Sequence, residues 1–84
     1  MKPLLYLTWR DSYGASPGWE RLDEFTASPL VVESVGFSVY EDDQLLCLAG
    51  SYAPESEHTA EQANGIITIP KCSIVSRKEI TSLT

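Results

Sequence analysis

The sequence predicts a small all-β domain, five strands and one short helix wound into an open barrel. Three observations predict it. β-branched and aromatic residues are prominent in the apolar set, and the apolar residues fall in short runs with alternating faces. Gly, Pro or acidic-polar clusters separate those runs at short intervals. The chain has 84 residues, one domain near the lower end of the size range that folds unaided, so burial against further copies of itself would add to a modest core.

Residues 4–10 form the first strand, with Leu5, Leu7 and Trp9 on one face and Leu4, Tyr6 and Thr8 on the other. Residues 11–18, rich in Ser, Gly and Pro, make a loop. Residues 19–25 are the one helical candidate. Trp19, Leu22 and Phe25 recur at helical spacing, Ser16-Pro17 can supply a cap and first-turn residue, and the helix is expected across one end of the barrel. The second strand covers residues 31–40: Val31, Val35, Phe37 and Val39 share a face broken only by Glu33, and Ser34, Gly36 and Ser38 lie opposite. A glycine inside a strand marks a bulge, bend or close backbone approach, and a long strand joining two layers of a barrel needs such a bend at Gly36.

Glu41-Asp42-Asp43-Gln44 is a hairpin loop leading into the third strand, residues 45–52. That strand is apolar on both faces and therefore central. Residues 53–64 are polar, carry Pro54 and His58, and read as the most mobile segment. Residues 65–69 and 74–80 are the last two strands. The Pro70-Lys71-Cys72-Ser73 connection between them is long enough for a tight turn and too short for a crossover helix. Leu83 and its neighbours form a tail.

Twelve Asp and Glu against six Lys and Arg give a formal net charge of −6. This opposes general attraction to phosphate backbones, which depends on basic residues displacing counterions, so any nucleic-acid site has to be local. Cys47 and Cys72 are too few and too far apart for a disulfide framework or a CxxC site, and read as reduced thiols in or near a core. The apolar stretch after Lys2 and Pro3 is broken by Arg10 and Asp11, too short for a signal-peptide core or a bilayer span, which points to a cytoplasmic protein.

The segment from Ile69 to Ser76, IPKCSIVS, resembles the second motif of Sm-like (Lsm/Hfq-like) proteins, and VGFSVYEDDQLLCLA resembles the first. Laid on the bacterial pattern, Lys71 takes the lysine position, Cys72 the position of a base-bonding histidine, Pro70 that of an aromatic residue, and Ile74 the apolar position opening the last strand. The wider pattern, with an early Trp-x-Asp, a Gly-Trp, Ser-Val-Gly-Phe and Ile-Pro-Lys, also looks like small phage-encoded proteins of this type, which would place the chain in the host cytoplasm. The resemblance implies a five-stranded Sm-like (SH3-type) open barrel. It also implies a homo-oligomeric ring in which the fourth strand of one subunit pairs with the fifth of its neighbour. Ile66, Ile67, Thr68, Ile69, Ile74, Val75, Ser76 and Arg77 would then form the interface. Bound single-stranded RNA would lie near the pore against Lys71, Cys72 and Ser73, with Tyr40 available to stack on a base.

Other chemistry is thin. Glu41, Asp42 and Asp43 have neither a nearby histidine nor a glycine-punctuated ligand loop, so no metal is expected, and a charged tip that discourages edge association explains them better. His58 is the only histidine, which leaves no triad. No cofactor or catalytic centre is expected. Arg77 and Lys78 either extend a basic face or balance Glu79 and the acidic tips, and Trp9 and Trp19 read as core or interface anchors. Two readings stay open: an RNA-binding ring, favoured by the Pro-Lys turn, and a barrel that binds a host protein or small ligand without nucleic acid, favoured by net charge.

Overall fold

The computed structural model describes residues 2–81. Five antiparallel strands form one open sheet: β1 (Leu4–Asp11), β2 (Leu30–Glu41), β3 (Leu45–Ala53), β4 (Gln62–Pro70) and β5 (Ile74–Ile80), in the order β4-β3-β2-β1-β5. The tail residue Leu83 lies outside the described residues. Among the described residues no helix is long and apolar enough to cross a membrane.

The sheet curls around a small aliphatic core. Leu5 and Leu7 of β1 meet Leu46 and Leu48 of β3 and Ile69 of β4, with Trp9 and Ile74 packed against them. Leu7, Leu46 and Ile69 are completely buried. Two bulges help the curl. Ser38 pairs with Leu48 and Tyr40 with Cys47, leaving Val39 as the extra residue of β2. Thr8 pairs with Ser76 and Trp9 with Ile74, leaving Val75 extra on β5. A bulge raises the local twist and bends its strand, which suits a sheet folding onto itself.

Of the two faces of β2, the Ser-Gly-Ser face turns inward. Val31 and Val35 are 57% and 59% exposed, whereas Gly36 and Ser38 are buried. The reason is space. A Cβ on Gly36 would stand 2.9 Å from the Ala49 carbonyl oxygen and 3.1 Å from the Leu48 Cβ, so only glycine lets β3 come this close. Ser34 accepts a hydrogen bond from Trp9 Nε1 at 3.0 Å, which satisfies the indole as its body packs on the core. On the opposite face, one cross-strand row is apolar through all five strands: Ile80, Leu4, Phe37, Ala49 and Ile66.

The helix expected over residues 19–25 does not form. That segment lies in a long β1–β2 connection, residues 12–29, whose local order is a turn closed by Glu24 N donating to Arg21 O at 3.1 Å. Trp19, Leu22 and Phe25 are all exposed, Trp19 fully. Two turns of helix with no surface to pack on do not repay the cost of nucleation. The only helical residues among those described are the 3-10 turn Lys71–Ser73 between β4 and β5. The long β1–β2 connection, called the arm below, is exposed throughout, and the chain measures 61 × 27 × 25 Å along its principal axes.

β4 also starts earlier than the apolar residues indicate. Gln62, Ala63 and Asn64, expected in the polar segment, pair with Ala53, Tyr52 and Ser51. Within β4, Gly65 has φ of 69°, a left-handed conformation that favours glycine.

Candidate functional site

The region singled out by sequence gathers around one carboxylate. β2 ends at Glu41, and the turn after it is built by Asp42, whose Oδ1 accepts from Gln44 N at 2.8 Å and Leu45 N at 2.7 Å. Asp42 N in turn donates to Leu45 O at 3.0 Å. The Gln44 carbonyl accepts from Lys71 N at 2.8 Å, which joins the hairpin tip to the β4–β5 turn. Lys71 Nζ then lies 2.7 Å from Glu41 Oε2 and donates to the Asp42 carbonyl at 3.0 Å. From β5, Arg77 approaches the same carboxylate as a fork, Nη1 to Oε2 at 2.7 Å and Nη2 to Oε1 at 2.9 Å.

Glu41 therefore ties β2 to β5 across the curl of the sheet and holds the 3-10 turn. Hydrogen bonds from Arg77, then Lys71, pull its carboxyl down from 4.5 to about 2. Arg77 is correspondingly held above its ordinary value by Glu41. The backbone N–H of Gln44, followed by the Tyr40 hydroxyl and the backbone N–H of Leu45, lowers Asp42. Tyr40 is raised because its hydroxyl donates to Asp42 Oδ2 at 2.8 Å.

The structure places the proposed RNA contacts, Lys71, Cys72, Ser73 and Tyr40, near one another but not all at liberty. The Lys71 ammonium is engaged, and the Tyr40 hydroxyl is bonded although the residue is exposed. Cys72 is exposed and Ser73 half-buried. Cys47 is half-buried, with Sγ 3.4 Å from Thr68 Oγ1, and both cysteines are free. A shallow hollow beside the turn is lined by Asp43, Gln44, Leu45, Pro70, Lys71 and Cys72.

The proposed interface residues divide in two. Ile69 is a core residue and Ile74 packs against the core. Ile66, Ile67, Thr68, Val75, Ser76 and Arg77 are exposed along β4 and β5. These two strands are the outer members of the sheet, each paired on one side only, β4 with β3 and β5 with β1. Among the described residues, their other margins carry backbone groups with no strand partner.

The carboxylate junction was legible in part: Arg77 was a candidate to balance the acidic tips and does pair with Glu41, whereas the engagement of Lys71 by the same carboxylate was missed. The acidic tip reads as a surface charge, and only the curl of the sheet brings Arg77 and Lys71 to it. Its one sequence signal was the pairing of an acidic strand end with a basic turn and a basic last strand. No family model, curated protein or solved structure matches this chain.

Proposed function

We propose that this chain is an Sm-like protomer that assembles into a homo-oligomeric ring by pairing β4 of one copy with β5 of the next, and that the ring is a scaffold for a protein partner. The observation that carries this reading is the sheet order. It leaves the strands at 62–70 and 74–80 on opposite margins, each with one unpaired edge. Such edges recruit further strands. Because the two margins differ, their pairing is head-to-tail, and a head-to-tail contact with a suitable rotation closes into a ring. Ile66 and Val75, 53% and 54% exposed, supply apolar area along those margins.

A protein partner suits the site better than nucleic acid. The turn lysine is already paired with Glu41, a carboxylate it shares with Arg77, and the chain carries a net charge of −6. Single-stranded RNA at the turn would have to compete with Glu41 for Lys71.

Light scattering tests the ring: the expected mass is several times the 9.3 kDa chain, and a monomer at micromolar concentration would refute it. A titration with short U-rich and A-rich RNAs at low salt, where electrostatic affinity is greatest, tests the partner class. No binding is expected. RNA binding that disappears in Lys71→Ala would overturn the scaffold reading in favour of an RNA-binding ring.

A further inference from the structure

We propose that the arm, residues 12–29, is a self-recognition element that docks on the convex face of the sheet of a second copy of this chain. The arm presents Trp19, Leu22 and Phe25 to solvent, together with Tyr13. Four large apolar side chains on one connection of so small a domain are costly to leave in water, and burying them is favourable in proportion to the apolar area removed from water. Acidic residues flank them: Glu20, Asp23 and Glu24 against Arg21 alone. Arg21 is consumed within the arm by Asp23 at 2.6 Å and Glu24 at 3.5 Å. The arm is thus apolar with a negative rim.

Its complement lies on the same chain. Tyr6 and Val35 are cross-strand partners, and Val31 lies on the same face of β2, all three exposed. Arg10 pairs in register with Val31, and Lys78 with Tyr6, so both cations border this stripe. Among the described residues, Lys2, Arg21, Lys71 and Arg77 are in ion pairs, and Arg10 and Lys78 are in none. The one acid in the stripe, Glu33, is occupied by the Tyr6 hydroxyl at 2.6 Å. An apolar stripe bordered by unpaired positive charge matches an apolar arm bordered by negative charge.

The size is also suitable. Aromatic side chains bury about 150–250 Å² each, so the arm brings on the order of 500 Å² to the contact. Reciprocal docking between two copies would then remove about 2,000 Å² in total, within the range of a specific interface. This contact uses no residue of β4 and, of β5, only Lys78 on the sheet face; it does not need the edge pairing that builds the ring.

Disulfide trapping tests it, in a Cys47→Ser/Cys72→Ser background. One chain carries Leu22→Cys, and a second, distinguishable by mass, carries Val35→Cys. Both positions are exposed, so the fold is preserved, as circular dichroism would verify. A mixed disulfide is expected at least tenfold faster than with a Glu57→Cys control. It should slow by a similar factor when the second chain also carries Arg10→Glu and Lys78→Glu. Trapping no faster than the control would overturn the proposal. A single chain bearing both cysteines that closes on itself, at a rate unchanged by dilution, would also overturn it, because the arm would then cover its own sheet. In chains with Ile66→Lys and Val75→Lys, which block edge pairing, trapping should persist. Its loss there would assign the contact to ring packing and overturn independent docking.

Discussion

Replacing Glu41 by Gln removes one negative charge at the point where β2, the 3-10 turn and β5 meet. Glutamine keeps the shape but cannot accept a guanidinium fork through both terminal atoms. The drop of the carboxyl from 4.5 to about 2 corresponds to a ceiling of about 3.4 kcal/mol at ~1.36 kcal/mol per pH unit. The Glu41 side chain is 30% exposed, with Arg77 and Lys71 at 42% and 33%. Solvent screening therefore reduces the expected cost to about 1–2 kcal/mol. For a domain of this size that is a fall in Tm of roughly 5–15 °C.

The pH dependence has a definite sign. A carboxyl whose folded value is depressed stabilises the fold fully above its unfolded value. The contribution then decays as pH falls from about 4.5 and is gone once pH has passed through about 2. The gap between wild type and E41Q, followed by thermal denaturation at fixed protein concentration, should be full at pH 7, narrower at pH 3 and closed below pH 2. A gap under 1 °C at pH 7, or one that stays constant down to pH 2, would show that the three groups are not coupled as their distances indicate.

Substitutions at three further positions probe the curl. Gly36→Ala forces a Cβ to within 2.9 Å of a backbone oxygen and should cost about 1–3 kcal/mol in urea unfolding; a loss under 0.5 kcal/mol would mean the strands separate freely. Leu7→Ala, at a fully buried core position, should cost about 2–5 kcal/mol by the same measurement, and wild-type stability would disprove the assignment of the core. Gly65→Ala, at φ of 69°, should cost roughly 1–2 kcal/mol, with Gly65→Asn less harmful because asparagine tolerates the left-handed region. Equal effects of Ala and Asn would argue against that backbone conformation.

Much of the sheet was legible because each strand carries its own period-two signal. β1 and β3 begin where alternation begins, at Leu4 and Leu45, and β5 covers the expected residues. Gly36 was legible too, as the place where only a missing side chain permits the bend. What local pattern could not provide was tertiary context. The Trp19, Leu22, Phe25 spacing is helical, but nothing among the described residues covers that face. The valines at 31 and 35 of β2 suggest an inward face, yet the concave side takes Ser34, Gly36 and Ser38, with Val32 half-buried beside Trp9. The beginning of β4 was hidden because Gln62 and Asn64 are polar residues held in the sheet by their ladder to β3. At the site, the Pro-Lys turn was visible, but the engagement of Lys71 was not, since Glu41 comes from a distant strand.

The projecting arm also affects how the molecule would be weighed in solution. The radius of gyration is 17.1 Å, against about 12 Å for a compact chain of this length. Drag follows shape as well as mass, so a lone copy would leave a sizing column ahead of compact standards and pass for a larger species. Elution volume alone would thus credit the isolated chain with companions it does not have, whereas scattered-light intensity and sedimentation equilibrium, which respond to mass, would not.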